Sequence, residues 1–182
     1  TTNMTSPQSN DWFEAAWAER EDDVYVSDFG SIGPGIYPLD TDVFKRLGAN
    51  AVDPRWLMIG AFESPPNEQR NNWAYVTSGL SNAWEADSPT PDGWSGLGVE
   101  VLIQCKSQCA WALALVRNLA AYQLMLATGQ FGERDTLGCW DRTGVGAPID
   151  FDKSEMKALL FVPAPHFGGI RQIASGKFEY LQ

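Results

Sequence analysis

Residues 99–127 read VEVLIQCKSQCAWALALVRNLAAYQLMLA, and two hydrophobic periods meet inside them. Val99, Val101 and Ile103 face one way and Glu100, Leu102 and Gln104 the other, which is the alternation of a strand. From about Gln108 to Ala127 the period is helical: Trp111, Leu115, Leu119, Tyr122 and Leu126 step by 4, 4, 3 and 4. They form one stripe, widened by Val116 and Met125, that fits against a sheet. Ser107 is placed to cap this helix and Gly129 to end it. A strand that leads straight into an amphipathic helix calls for one domain that mixes α and β structure.

The flanks extend the pattern. Upstream, residues 73–77 (WAYVT) are aromatic and β-branched and predict a strand. Residues 55–62 (RWLMIGAF) predict another, interrupted at Gly60, and Val24–Val26 a short third. Asn10 or Asp11 caps a helix to about Asp22, with Trp12, Phe13, Ala16 and Trp17 at helical spacing. Residues 30–38 (GSIGPGIYP) and 63–72 (ESPPNEQRNN) read as loop and turn. Leu39–Leu47 is ambiguous. Ser78–Gly98 reads as a long polar loop carrying Trp84 and Trp94. Downstream, Asp152 followed by Glu155 imitates a capping box and predicts a short helix over Met156, Leu159 and Leu160. Phe178–Leu181 predicts a strand. Residues 1–10 read as a loose tail and 11–182 as one domain, with no repeat, linker or low-complexity tract.

The 182 residues carry 13 Lys and Arg against 23 Asp and Glu, a net charge of −10. Hydrophobic residues at 44% and charged residues at 20% describe a globular chain rather than a disordered one. The charge argues against binding duplex nucleic acid or anionic lipid through the general surface, because both need a basic footprint. The acid is concentrated. Residues 1–100 hold 16 acidic and 5 basic side chains, whereas residues 101–182 hold 7 and 8. The first half either forms a solvated face or is aimed at a basic partner. No run of 18 purely apolar residues is present and the N-terminus lacks a signal-peptide pattern, so the expectation is a cytoplasmic protein. Three cysteines, Cys105, Cys109 and Cys139, are no disulfide framework and fit the same compartment.

Residues able to carry chemistry are few. The single histidine, His166, lies in the loop PAPHFGG, and any Ser-His or Cys-His site depends on it. The serine at 78 lacks the glycine two residues earlier that a nucleophile elbow needs, since Val76 stands there. Cys105, Cys109, Cys139 and His166 are four soft ligands whose spacing matches no zinc finger or ribbon, so buried apolar cysteines are expected and no cofactor or metal. The glycines of GSIGPGI form no phosphate-binding motif. Of the eight tryptophans, Trp12, Trp17, Trp56, Trp73 and Trp111 fall on core-forming segments. Trp84, Trp94 and Trp140 fall in loops, where they either plug gaps or anchor a partner.

Residues 73–81 (WAYVTSGLS) resemble the signature segment of the suppressor-of-fused domain, with Trp73, Tyr75, Thr77, Ser78, Gly79 and Ser81 as its positions. Further stretches resemble the same domain in the same order. They are AEREDDVYVSDFG (18–30), DPRWLMIGAFESPP (53–66), GVEVLIQC (98–105), WALALVRNLAAYQ (111–123), GAPID (146–150), MKALLFVPAP (156–165) and GKFEYLQ (176–182). The resemblance implies an α+β single domain, a mixed β-sheet flanked by helices. It implies no catalysis. Animal members of that family bind a zinc-finger transcription factor of Hedgehog signalling, holding an extended peptide between this domain and a second one. Bacterial members are usually single domains, and many look like immunity proteins that neutralise a toxin. By the same resemblance Asp150 occupies the place of an aspartate that helps hold the peptide. Here Gly144–Ala147 replace the Trp-His segment that precedes it, and Asp150 equally suits a loop. The family pattern runs a few residues past the last strand, which implies that the chain is trimmed after Gln182.

The expected function is therefore a non-enzymatic module that sequesters a protein partner, with a basic toxin domain as the candidate, and binds neither nucleic acid nor membrane. Asp150, Trp84, Trp94 and Trp140 are its candidate contact residues. The alternative is a peptide adaptor that adds a strand to a sheet edge; an enzyme built on His166 is the third reading.

Overall fold

The computed structural model describes residues 11–182; the expected tail at 1–10 and the cap at Asn10 lie outside them. Six strands make the main sheet: β1 (Tyr37–Pro38), β2 (Gly60–Ser64), β3 (Trp73–Ser78), β4 (Trp94–Cys105), β7 (Arg171–Ile173) and β8 (Gly176–Leu181). Their order is β1-β2-β3-β4-β8-β7. β4 and β8 run parallel and the other neighbours antiparallel, so the sheet is mixed as expected. β5 (Arg142–Gly144) and β6 (Ala158–Leu160) form a second, two-stranded sheet. It is tied to the first where Val162 and Gln182 exchange N–H···O bonds of 2.9 Å.

Both faces of the main sheet are covered, and the period of two in β3 and β4 feeds both. Tyr75 and Val101 join one core with α4 (Ala110–Ala127), α3 (Thr41–Arg46) and Trp56. Ala74, Val76 and Leu102 join the other core with Tyr25, Phe29, Phe62, Phe178 and Tyr180. α4 is as long and apolar as a membrane span, with a mean hydropathy of 1.2. Its apolarity is spent in the core: Ala112, Leu115, Val116, Leu119, Ala120 and Met125 are all buried against the sheet side.

Five local expectations are corrected. Val24–Val26 is not a strand. Asp11 to Phe29 is helical throughout: α1 (Asp11–Ala18) passes through a π-helical turn (Glu19–Val24) into α2 (Tyr25–Phe29). Tyr25 and Phe29, one turn apart, are fully buried and hold the segment as helix. In residues 55–62 only the end is strand. Pro54–Met58 form a 3₁₀ turn, with Pro54 at its start and the Asp53 carboxylate accepting from Arg55 N at 2.9 Å. β4 begins at Trp94, inside the expected loop, with an irregular register up to Val99. α4 begins at Ala110 rather than Gln108, and Ser107 does not cap it; Cys109 holds the N-cap position and its N–H donates to Tyr75 Oη at 2.6 Å. Gly129 does follow the end of α4, at φ 70°.

The fifth correction is the helix after Asp152, which does not form. Asp150 accepts from Asp152 N at 3.1 Å and Ser154 N at 3.0 Å and turns the chain, and Ala158–Leu160 pair with β5. A segment this short cannot nucleate a helix against such pairing. The entry to β5 holds a strained residue. Asp141 N donates to Gly138 O at 3.2 Å, closing a turn whose third residue, Trp140, has φ 73°. Glycine normally fills that position, and a side chain there costs about 1 kcal/mol. Trp140 is 68% exposed, so little packing compensates. Trp140→Gly is therefore expected to raise stability by about 1 kcal/mol, read as an increase in the melting temperature.

Candidate functional site

The segment after β3 is built around one buried carboxylate. Glu100 is fully buried on β4. Its Oε2 accepts from Thr77 Oγ1 at 2.6 Å, and its Oε1 accepts from Gly79 N at 3.0 Å, Ser81 N at 3.0 Å and Ser81 Oγ at 2.7 Å. Gly79 adopts φ 113°, which bends the chain so that both backbone N–H groups converge on the carboxylate. Val101 N donates to Thr77 Oγ1 at 2.8 Å, so the same threonine also serves the strand.

A buried cation joins this turn from the π-helical segment, where it also bridges Glu21 at 3.5 Å. Arg20 is 1% exposed; its Nη1 donates to Asn82 Oδ1 and, at 3.4 Å, to Ser81 Oγ. Its guanidinium also sits 5.7 Å from the centre of the Trp17 ring. Tyr25 Oη donates to Thr77 O at 3.2 Å, and Ser78 Oγ to Glu21 Oε1 at 3.0 Å. Burial, followed by the Glu100 charge, pushes the Tyr25 hydroxyl well above its usual range. Downstream, Ser95 Oγ donates to Ser81 O at 2.6 Å. Thus Thr77, Ser78, Gly79 and Ser81 are not surface contacts but the frame of a fixed turn.

That turn floors a groove of about 610 Å³ lined by Leu80, Asn82, Ala83, Gly96, Leu97 and Leu124, among others. Trp84 and Trp94 both line it. Trp84 leans on Phe13 at 4.6 Å and Trp17 at 6.0 Å between ring centres. Trp94 lies over Gly98, whose lack of a side chain admits the ring, and remains 53% exposed. Two buried donors, Asn82 Nδ2 and Trp84 Nε1, have no hydrogen-bond partner among the described residues. At the rim Arg55 bridges Asp53 at 2.7 Å and Glu85 at 2.6 Å. Hydrogen bonds from Arg55 hold the Asp53 carboxyl below the usual carboxylate range.

The structure therefore joins two of the four candidate contact residues. Trp140 and Asp150 do not line the groove; they belong to the β5–β6 sheet and its loop. Backbone N–H bonds from Ser154 and Asp152 lower the Asp150 pKa and account for its carboxylate. Trp73 is half-buried against the core, and Tyr75 is fully buried beneath the start of α4. His166 is exposed and lines a different pocket, which none of the three cysteines lines. Among the described residues no group of three or more His, Cys, Asp or Glu side chains is placed to hold a metal ion. Glu100, Arg20 and Asn82 escaped the sequence reading. The available signal was a carboxylate set between Val99 and Val101 in a strand buried on both faces.

Two of the thiols, Cys105 and Cys139, are dulled rather than activated. Burial, then the adjacent Cys109, pushes Cys105 up to about 12. Burial and then Glu179 raise Cys139.

Two outcomes test this arrangement. Glu100→Gln turns an amide N–H₂ toward donors and should cost about 3 kcal/mol in chemical denaturation, whereas Ser78→Ala should cost clearly less. Alkylation of Cys105 by iodoacetamide at pH 8 should be slower in the folded protein than in urea by roughly a thousandfold, read by peptide mass spectrometry.

The family model described as Suppressor of fused protein (SUFU) matches residues 54–182. That span contains the fixed turn, Glu100, both groove tryptophans and α4, and excludes Arg20. No curated protein matches the chain.

Proposed function

Because the chain belongs to the suppressor-of-fused family, we propose that it is a non-enzymatic protein-binding module that sequesters its partner in the groove between Trp84 and Trp94. The observation that carries this reading is Trp94, a large aromatic left 53% exposed over a largely apolar groove floored by the hydrogen-bonded turn around Glu100. Exposed aromatics beside a preformed pocket are the usual anchors of protein interfaces. The fixed turn beneath them limits the ordering cost of binding.

The finer reading is a partner with a basic surface, of the kind a nuclease toxin carries, and a role in toxin immunity. Its support is charge. The net −10 is concentrated in the first hundred residues, and Glu85, Asp87 and Asp92 are exposed on the loop that joins Trp84 to Trp94. An acidic rim around an aromatic anchor speeds encounter with a basic partner and disfavours acidic ones. Strand addition has less support here. β4 is bonded beside the groove on one flank by Leu97 N to Leu80 O at 2.9 Å, and on the other it pairs with β8.

The test is capture of the product of a neighbouring toxin gene at low salt. Trp94→Ala should weaken binding by about 2 kcal/mol or more and leave the melting temperature nearly unchanged. Raising salt should slow association more than it speeds release. Undiminished binding by Trp94→Ala would reject the groove, and no binding to any encoded neighbour would reject the immunity reading.

A further inference from the structure

A second pocket, of about 520 Å³, lies between Asp28 on α2, the turn at 67–72 and the segment at His166 and Phe167. Its wall contains a buried cation that the proposed function does not use. Arg70 is only 9% exposed. Its Nη atoms donate to the carbonyls of Ser64, Pro65, Asn72 and Phe29 and to Ser64 Oγ. Its Nε–H is buried and has no partner among the described residues.

Carbonyl oxygens satisfy N–H groups, but they do not cancel a net charge. No carboxylate lies within ion-pair distance of Arg70 among the described residues, whose ion pairs involve Arg20, Lys45, Arg55, Arg117 and Arg171 instead. Burial lowers the Arg70 pKa with no carboxylate opposing the shift. Two acids line the same pocket. Asp28 is already committed, accepting from Arg171 Nε at 2.8 Å, Arg171 Nη2 at 2.9 Å and Tyr180 Oη at 3.0 Å. Glu68 is exposed on the rim. The remaining charged or titratable wall residue is His166, also exposed. Around them the wall is amide-rich: Gln104 Nε2 donates to Asn72 Oδ1 at 3.2 Å, and Asn71 is exposed beside them.

We propose that this pocket binds a carboxylate, drawn by the uncompensated guanidinium of Arg70 and oriented by the amides of Asn71, Asn72 and Gln104. A singly charged oxyanion suits it. A phosphate dianion meets the Glu68 charge and the −10 of the whole chain at twice the penalty. The carboxylate belongs either to a free organic acid or to an acidic side chain of a bound protein. The site is independent of the Trp84–Trp94 groove, so it stands or falls separately.

The experiment follows two NMR reporters in the intact chain, the Arg70 Nε–H and the ring of His166, the single histidine. Acetate, lactate, a short glutamate-containing peptide, inorganic phosphate and chloride are titrated at matched ionic strength. Both reporters should shift saturably with acetate or lactate, or with the peptide, and the stronger of these names the source. Glu68→Gln, an exposed change that leaves the fold intact, should tighten binding roughly threefold. Arg70→Lys should weaken it; should that variant unfold, the Glu68→Gln comparison still decides. Absence of a saturable shift up to roughly 50 mM carboxylate, an equal response to chloride, or stronger binding of phosphate would each overturn the proposal.

Discussion

Everything near the groove depends on a carboxylate placed where water cannot reach it. A buried Glu100 is tolerated only because four donors converge on it and a buried arginine stands one hydroxyl away. Each donor has a structural price. Gly79 must take a backbone conformation that other residues avoid, Thr77 Oγ1 must both donate to Glu100 and accept from Val101 N on β4, and Ser81 must link acid to arginine through its Oγ. The demand explains why the segment after β3 keeps small polar residues and one glycine in an otherwise apolar region. It also explains the π-helical turn at Glu19–Val24. The widened turn sits where Arg20 leaves the helix for the interior, and π turns commonly mark such functional insertions.

The network separates support from contact. Most of its polar atoms bond to one another beneath the groove, whose lining is largely apolar, with Asn82 Nδ2 the network's unpartnered donor at that surface. Two tryptophans far apart in local structure meet there because one rests on α1 and the other on the irregular start of β4. The exposed apolar area at Trp94 is bordered by the exposed carboxylates of Glu85, Asp87 and Asp92 on the intervening loop, which keep the patch small.

The legible parts of the sequence were those with sustained periodicity. The strand at Val99–Gln104, the helix ending at Gly129, the strand at Phe178–Leu181 and the mixed α+β sheet all follow from repeating apolar positions or from the ordered motifs of the resemblance. Short or polar elements were not legible. Val24–Val26 looks like a strand by residue type, but Tyr25 and Phe29 find aromatic partners in Phe62 and Tyr180 that only the tertiary fold supplies. Asp152–Glu155 imitates a cap, yet the backbone beyond it pairs with β5. Trp84, Trp94 and Trp140 look alike in the sequence, and nothing local distinguishes the two that line the groove from Trp140. The difference lies in what packs beneath each ring. Glu100 was visible only as an acid in the wrong place, and its partners are drawn from positions 20, 77, 79 and 81, which no spacing rule connects.

The parallel pairing of β4 with β8 carries a consequence for biosynthesis. β8 is an interior strand of the sheet, yet it lies about eighty residues downstream of the strand it pairs with. While the ribosome is still making those residues, β1 to β4 and α4 are available but β4 presents an open flank. The non-local closure is entropically costly and slow. Until residues 176–181 emerge, the core that Leu102 and Val76 share with Phe178 and Tyr180 stays incomplete and open to chaperones or to other nascent chains. The main sheet thus closes around β4 only once residues 176–181 have been made.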